Sequence, residues 1–282
     1  MPERKLHSMQ AIQVILIAAK VMLSLGILLY ASWSDYKTRE VSNRVWAYYA
    51  PLALALSLLE LVFYNSVNLP YFGLSFGVTA LFAILLFYSG GFGGADSKAL
   101  MCIALALPFA PEALFTPIIT GGVSPLSLFL FPLTIFSNAV LFAAASGIYM
   151  ILRNIIWHKK TGNKMFEGTL AKESWGKKIL VLITGYKFQV SKLKEKWHIY
   201  PMEDIEQAQD ETSFNRKLMV IPKDEGRDKI LNRLSDSVET GKIGPYVWAT
   251  PGLPMLIFVT LGLIVALVFG DVVWLLVRSV LG

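Results

Sequence analysis

Long apolar runs separated by short polar stretches dominate the chain, and their lengths set the first expectation. A helix crossing a bilayer needs about 20 mostly apolar residues, because the hydrocarbon core is about 30 Å thick and each residue rises about 1.5 Å. Six runs are read as spans, at roughly 11–33, 45–64, 69–88, 98–109, 124–152 and 251–277. The fourth is short. It ends at Pro108 and Pro111, which predicts a buried or tilted helix, or one that extends toward Thr120. The first run is too long for the apolar region of a cleavable signal peptide, and no small-residue cleavage site follows it.

Between the fifth and sixth runs the pattern changes. Residues 178–184 and 217–221 are short apolar runs of strand length, whereas 227–238 places Ile230, Leu231, Leu234 and Val238 at helical spacing. Gly162, Gly168, Pro201, Pro222 and Gly226 punctuate this stretch. The pattern predicts an α-helical polytopic membrane protein: six transmembrane helices with a small α+β cytoplasmic insert before the last helix. The expected division is 1–152 for five helices, 153–246 for the insert and 247–282 for the sixth helix.

Composition and charge sharpen this picture. Of the 282 residues 55% are hydrophobic and 16% charged, against about 25% charged in soluble domains, so a single soluble globular domain is excluded. The insert holds 18 of the 26 Lys/Arg and 13 of the 20 Asp/Glu. Its positive excess suits anionic lipid headgroups, and equally suits a solvated face. Basic residues in short loops mark the cytoplasmic side. Lys37, Arg39 and Arg44 follow the first run and Lys98 lies after the third, while 65–69 and 111–123 contain no Lys or Arg. The expected orientation puts the odd-numbered connections inside and both termini outside, with Arg4 and Lys5 dissenting. The one cysteine, Cys102, excludes a disulfide framework and any paired-cysteine zinc site. No metal and no cofactor is expected.

Charges inside apolar runs are costly, so each one asks for a reason. Lys20 lies 13 residues before Trp33 and Glu60 lies 15 after Val45. Antiparallel helices would bring them to one depth, where they pair; the alternative has Lys20 snorkelling and Glu60 near the outer interface. Asn138 and Pro132 in the fifth run mark either a functional bend or an ordinary interruption whose freed backbone group a neighbouring helix satisfies. Two aspartates stand at the cytoplasmic ends of runs: Asp35 in Ser34-Asp35-Tyr36-Lys37-Thr38-Arg39-Glu40-Val41-Ser42-Asn43, and Asp96 in Gly90-Gly91-Phe92-Gly93-Gly94-Ala95-Asp96-Ser97-Lys98.

Two carboxylates a few Å apart cannot both ionise, so one keeps its proton while the other stays charged. The charged member can take a proton from water attacking a peptide carbonyl, and the protonated member can assist the carbonyl and the leaving amine. Each aspartate also has a plainer reading. Asp96 could be the N-cap of the fourth helix, and Asp35 a loop acid balanced by Lys37 and Arg39. The glycine run lacks the Gly-Lys-Ser/Thr ending of a P-loop, and an acid there would repel phosphate.

At these residues the sequence resembles the prepilin and preflagellin peptidases, intramembrane aspartyl proteases with a Gly-x-Gly-Asp motif, and the archaeal preflagellin branch in particular. The resemblance rests on Asp35 with the Lys37-Thr38-Arg39-Glu40-Val41-Ser42-Asn43 stretch, on Gly93-Gly94-Ala95-Asp96-Ser97-Lys98-Ala99-Leu100, and on the closing Val247-Trp248-Ala249-Thr250-Pro251-Gly252-Leu253-Pro254 before a last run ending Phe269-Gly270-Asp271. It implies an endopeptidase that removes the short basic leader from archaellin precursors at the cytoplasmic face. Asp35 and Asp96 are then catalytic, Gly93, Gly94 and Ala95 shape the backbone, and Lys98, Arg39 and Asn43 tune the site or position substrate. Ala95 replaces the second glycine of the motif. The loop after the first run lacks the cysteines of the bacterial enzymes that also methylate, so methyl transfer is not expected. The implied partners are preflagellin or prepilin proteins with class III-type leader peptides, together with membrane lipid and no nucleic acid. Two alternatives stay open: adhesive pilin precursors cut by the same chemistry, and a non-catalytic transporter or channel lined by Asp35, Asp96, Lys20 and Glu60.

Overall fold

The apolar runs fold as helices, with their breaks where proline and glycine interrupt them. In a computed structural model, which describes residues 2–90, 92–119, 121–196, 198–207, 214–219, 226–251 and 254–281, helices α1 (Pro2–Thr38), α2 (Asn43–Tyr64) and α3 (Leu69–Tyr88) follow one another through short connections. Then come α4 (Gly94–Ala106), the one-turn α5 (Pro125–Phe129) and the long α6 (Phe131–Thr161). Helices α1, α2, α3 and α6 are each long and apolar enough to cross a membrane. The last apolar run is α10 (Met255–Val268) and α11 (Val272–Leu281), which make a fifth crossing if the pair, bent by 66°, is one span.

Among the described residues four or five spans of that length are thus found where six were expected, and the difference lies in α4. Its 13 residues rise about 20 Å, short of the hydrocarbon core. The helix stops at Leu107, beside Pro108, and its free carbonyls are answered by neighbours. Ser57 Oγ donates to the carbonyls of Leu105 at 2.6 Å and Ala106 at 3.3 Å, and Ser75 Oγ donates to that of Pro108 at 3.0 Å. Polar backbone is tolerated at this depth where side chains satisfy it.

The second break follows the same rule. Gly270 takes φ +81°, and a Cβ there would meet the Gly122 carbonyl at 2.3 Å, so only glycine fits. Asn138 donates to the Gly270 carbonyl at 2.9 Å and accepts from Val272 N–H at 3.1 Å. Asp271 accepts from Trp274 N–H at 3.0 Å, starting α11, and from Ser124 Oγ at 2.6 Å. Asn138 therefore serves the break between α10 and α11, a role that neither reading from the sequence gave it. Gly262 lets α10 approach α6 closely, since a Cβ there would lie 2.3 Å from the Ile135 carbonyl.

The chain divides into two compact units, Met1–Ala143 with Pro254–Gly282, and Ala144–Leu253. In the first, Leu28, Tyr49, Ile103, Ile135 and Leu263 meet in one fully buried cluster. Within it Lys20 Nζ and Glu60 Oε2 pair at 2.5 Å, with side chains 6% and 9% exposed, as their depths predict. Ser24 and Tyr49 extend the polar chain, with Tyr49 OH donating to Ser24 Oγ and Ser24 Oγ to the Lys20 carbonyl.

The second unit contains α7 (Trp175–Thr184), β1 (Tyr186–Gln189), α8 (Val190–Leu193), β2 (Tyr200–Pro201), β3 (Glu203–Gln207), β4 (Phe214–Leu218), α9 (Arg227–Glu239) and β5 (Tyr246–Thr250). Strands β1, β5 and β2 form an antiparallel sheet in that order, and β3 pairs with β4. The helix expected over 227–238 is α9, and the strand expected from Lys217 begins inside β4, while residues 220 and 221 lie outside the described residues. The strand expected at 178–184 is instead the end of α7. An unbroken apolar run has no period to separate helix from strand, and here Asn154 Nδ2 closes the helical end by donating to the Leu182 and Gly185 carbonyls at 3.1 and 2.8 Å.

The buried pair gives a direct test. Lys20→Met or Glu60→Gln alone should lower stability by about 3–5 kcal/mol, because each leaves a buried charge without its partner, whereas Lys20→Met with Glu60→Leu should recover most of that loss. Unfolding in detergent by SDS titration measures it, and equal stability of both single variants with the native chain would sink the pairing.

Candidate active site

Asp35 sits in the last turn of α1, and the sequence around it ends that helix with side chains. Thr38 Oγ1 donates to the carbonyls of Ser34 at 2.9 Å and Glu40 at 3.0 Å, and Ser34 Oγ donates to the Glu40 carbonyl at 2.8 Å. Arg39 then turns the chain in the left-handed region, at φ 56°, with its N–H on the Asp35 carbonyl at 2.9 Å. Glycine or asparagine is the usual residue at that helix-ending position. The strain leaves the guanidinium of Arg39 close enough to act on the Asp35 carboxylate.

One turn earlier the helix is fixed from the other side. Ser32 Oγ lies 2.7 Å from Thr260 Oγ1 and donates to the Leu256 carbonyl at 2.9 Å, while Thr260 Oγ1 reaches the Leu28 carbonyl at 3.2 Å. These contacts tie the Asp35 end of α1 to the first turns of α10. Sequence reasoning missed them. The available signal was the spacing of Ser32 and Asp35, three apart and so neighbours on one helix face.

Asp96 occupies the first turn of α4. The N-cap is Gly93, and Asp96 is the third helical residue, which corrects its plainer reading as the cap itself. Its Oδ2 folds back to accept from Gly93 N–H at 3.1 Å. A Cβ on Gly93 would stand 3.1 Å from that oxygen, so glycine is what lets the carboxylate lie over the helix start. Gly94 has no such need, since a Cβ there would make ordinary contact with Phe87 at 3.7 Å. Ala95 packs partly buried against the apolar core.

The two carboxyl groups interact. Burial pushes Asp96 up from its ordinary 3.8 to about 6, the Gly93 N–H opposes the rise, and the charge of Asp35 adds to it. Burial outweighs the favourable start of α4, where the helix dipole alone would favour a carboxylate. The remaining expected residues also converge: Lys98 Nζ donates to Asn43 Oδ1 at 2.7 Å. That bond joins α4 to the first residue of α2 and places both residues beside the helix ends that carry the acids. The end of α1 and the start of α4 thus carry two carboxyl groups, Asp35 and Asp96, together with the cations Arg39 and Lys98.

Known proteins resemble this chain along most of its length. A model of the type IV leader peptidase family matches residues 22–148, which include Asp35 and Asp96, and one described as archaeal peptidase A24 C-terminus type II matches residues 177–272. Among curated proteins, the preflagellin peptidase of Methanococcus voltae is 26% identical over 86% of this chain and 92% of its own length. That of Methanocaldococcus jannaschii is 24% identical, over 90% and 95%. The preflagellin peptidase of Methanococcus maripaludis is 22% identical, over 88% and 93%. Matched in order along most of its length by these two peptidase models, and carrying several apolar helices long enough to cross a membrane, the chain is a membrane protease that belongs to the type IV leader peptidase family.

Proposed function

We propose that this protease removes the leader peptide from preflagellin precursors at the cytoplasmic face of the membrane, using Asp35 and Asp96 as an aspartyl pair. The observation that carries the reading is the charge of Asp35 acting on the buried carboxyl of Asp96. Asp96, buried and raised, holds the shared proton. Asp35, with Arg39 beside it, is the charged member.

A water between the two gives a proton to Asp35 as its oxygen attacks the scissile carbonyl. Asp96 donates its proton to the carbonyl oxygen, forming a neutral tetrahedral intermediate. On collapse one hydroxyl of the intermediate returns a proton to Asp96 as the carbonyl re-forms, the C–N bond breaks, and Asp35 passes the proton it gained to the leaving amine. No covalent intermediate forms. Because the cut lies beside the start of an apolar segment, the site belongs where water meets the membrane, and the basic residues at 37–44 and Lys98 put that interface on the cytoplasmic side. Substrate identity rests on the preflagellin peptidases that the chain is similar to. The transport reading loses its support, since Lys20 and Glu60 neutralise each other in the core.

Asp35→Asn and Asp96→Asn should each abolish cleavage of a preflagellin substrate in detergent while the protein stays folded. Cleavage by either variant at near-native rate would refute the pair. A pH series supplies a second test. With its folded pKa near 6 and its ordinary value 3.8, protonated Asp96 is fully favoured below 3.8, and that contribution to stability is lost as pH rises through 6. Asp96→Asn should therefore stabilise the protein at pH 8 by up to about 3 kcal/mol. The gain should shrink as pH falls through 6 and vanish below 3.8; a pH-independent difference would contradict the raised pKa. The native activity should fall as pH rises above about 6, as the general acid loses its proton.

A further inference from the structure

The second unit holds two buried cations on one buried carboxylate. Glu203 on β3 is fully buried, and its Oε2 accepts from Arg216 Nε at 3.0 Å and Nη2 at 2.7 Å. Its Oε1 accepts from the Trp248 N–H at 2.5 Å. Lys187 on β1 stands 3.7 Å from the same Oε1, beyond hydrogen-bonding reach, with its side chain 3% exposed. Its ammonium lies 5.1 Å from the centre of the Trp248 ring. Burial lowers the pKa of Lys187 and the Arg216 charge lowers it further, against the pull of Glu203 and Glu167. A buried ammonium that must share Glu203 with Arg216 is costly to hold charged.

Lys187 also lines a cavity of about 160 Å³. The walls include Trp157 from the last turns of α6, Tyr246 at the start of β5, and Asn163, Lys164 and Glu167 from the connection that follows α6. Trp157 and Tyr246 meet edge to face, with ring centres 5.7 Å apart. Three cations, Lys187, Arg216 and Lys164, stand against two carboxylates, Glu203 and Glu167, so the lining and its backing carry a net positive charge. The depth is also telling. Helix α6 is long and apolar enough to cross a membrane and ends in Trp157, His158, Lys159 and Lys160, the sequence of a span leaving the hydrocarbon through the aromatic and headgroup zone. The volume suits a small polar headgroup, well under the 300–1,000 Å³ usual for drug-sized ligands.

We propose that this cavity binds a phosphate group, carried by an anionic lipid headgroup, with Lys187 at its floor and Lys164 at its rim. The phosphate supplies the charge that Glu203 cannot, and the aromatic pair packs the glycerol beside it. The site is independent of the peptidase chemistry, and its occupation anchors the second unit to the anionic surface from which α6 emerges.

The full-length protein in phosphatidylcholine nanodiscs, with or without phosphatidylglycerol, tests this by thermal unfolding and by native mass spectrometry of retained lipid. The native chain should retain phosphatidylglycerol and unfold at higher temperature with it. Lys187→Met and Lys164→Ala should each weaken that retention about tenfold. In phosphatidylcholine alone Lys187→Met should be as stable as the native chain, because Glu203 keeps Arg216. Unchanged retention in both variants would overturn the site, and a loss of stability in Lys187→Met that is the same with and without phosphatidylglycerol would reduce Lys187 to a structural ion. Lys164→Ala, at an exposed position, carries the test if Lys187→Met does not fold. An equal shift from inorganic phosphate in phosphatidylcholine discs would overturn the lipid as the source.

Discussion

An apolar bundle has no water to satisfy a broken helix, and that constraint governs how the first unit is built. Each interruption leaves amides or carbonyls that must find protein partners. At the end of α4 the partners are Ser57 and Ser75. At the α10–α11 bend they are Asn138, Ser124 and Asp271 itself. These polar residues within the apolar runs are thus structural, each bonded to a named backbone group or to another side chain. Lys20 and Glu60 obey the same rule in ionic form.

Asp35 has Arg39 near it, and Asp96 accepts from the Gly93 N–H. The proposed mechanism asks each of these carboxyl groups to accept or release a proton during turnover. What is rigid is the frame. Ser32 and Thr260 fix one helix end, and Lys98 and Asn43 bridge another.

Much of this was legible in the sequence because charges in apolar runs are few. Lys20 and Glu60 could be matched by counting residues from an assumed interface, and Asp35 and Asp96 stood out at run ends. The number of spans was less legible: an apolar run records burial, and a short helix that ends among serines buries itself as well as one that crosses. The strand expected at 178–184 failed for a related reason, since Ile179 to Ile183 offer no alternation and a distant residue, Asn154, decides the outcome. The Lys98–Asn43 and Ser32–Thr260 contacts join positions far apart in the chain, so nothing local named the partner of either residue.

The left-handed turn at Arg39 sets two demands against each other at one position. Glycine would hold that backbone without strain, where a side chain costs about 1 kcal/mol. Yet glycine would also take the guanidinium away from Asp35. A sequence selected only for a well-formed end to α1 would drift toward glycine and lose the cation. Retaining arginine there means that the helix is kept slightly less stable than it could be, and that thermal hardening of this protease by consensus-style replacement at its turns would have to leave this one alone.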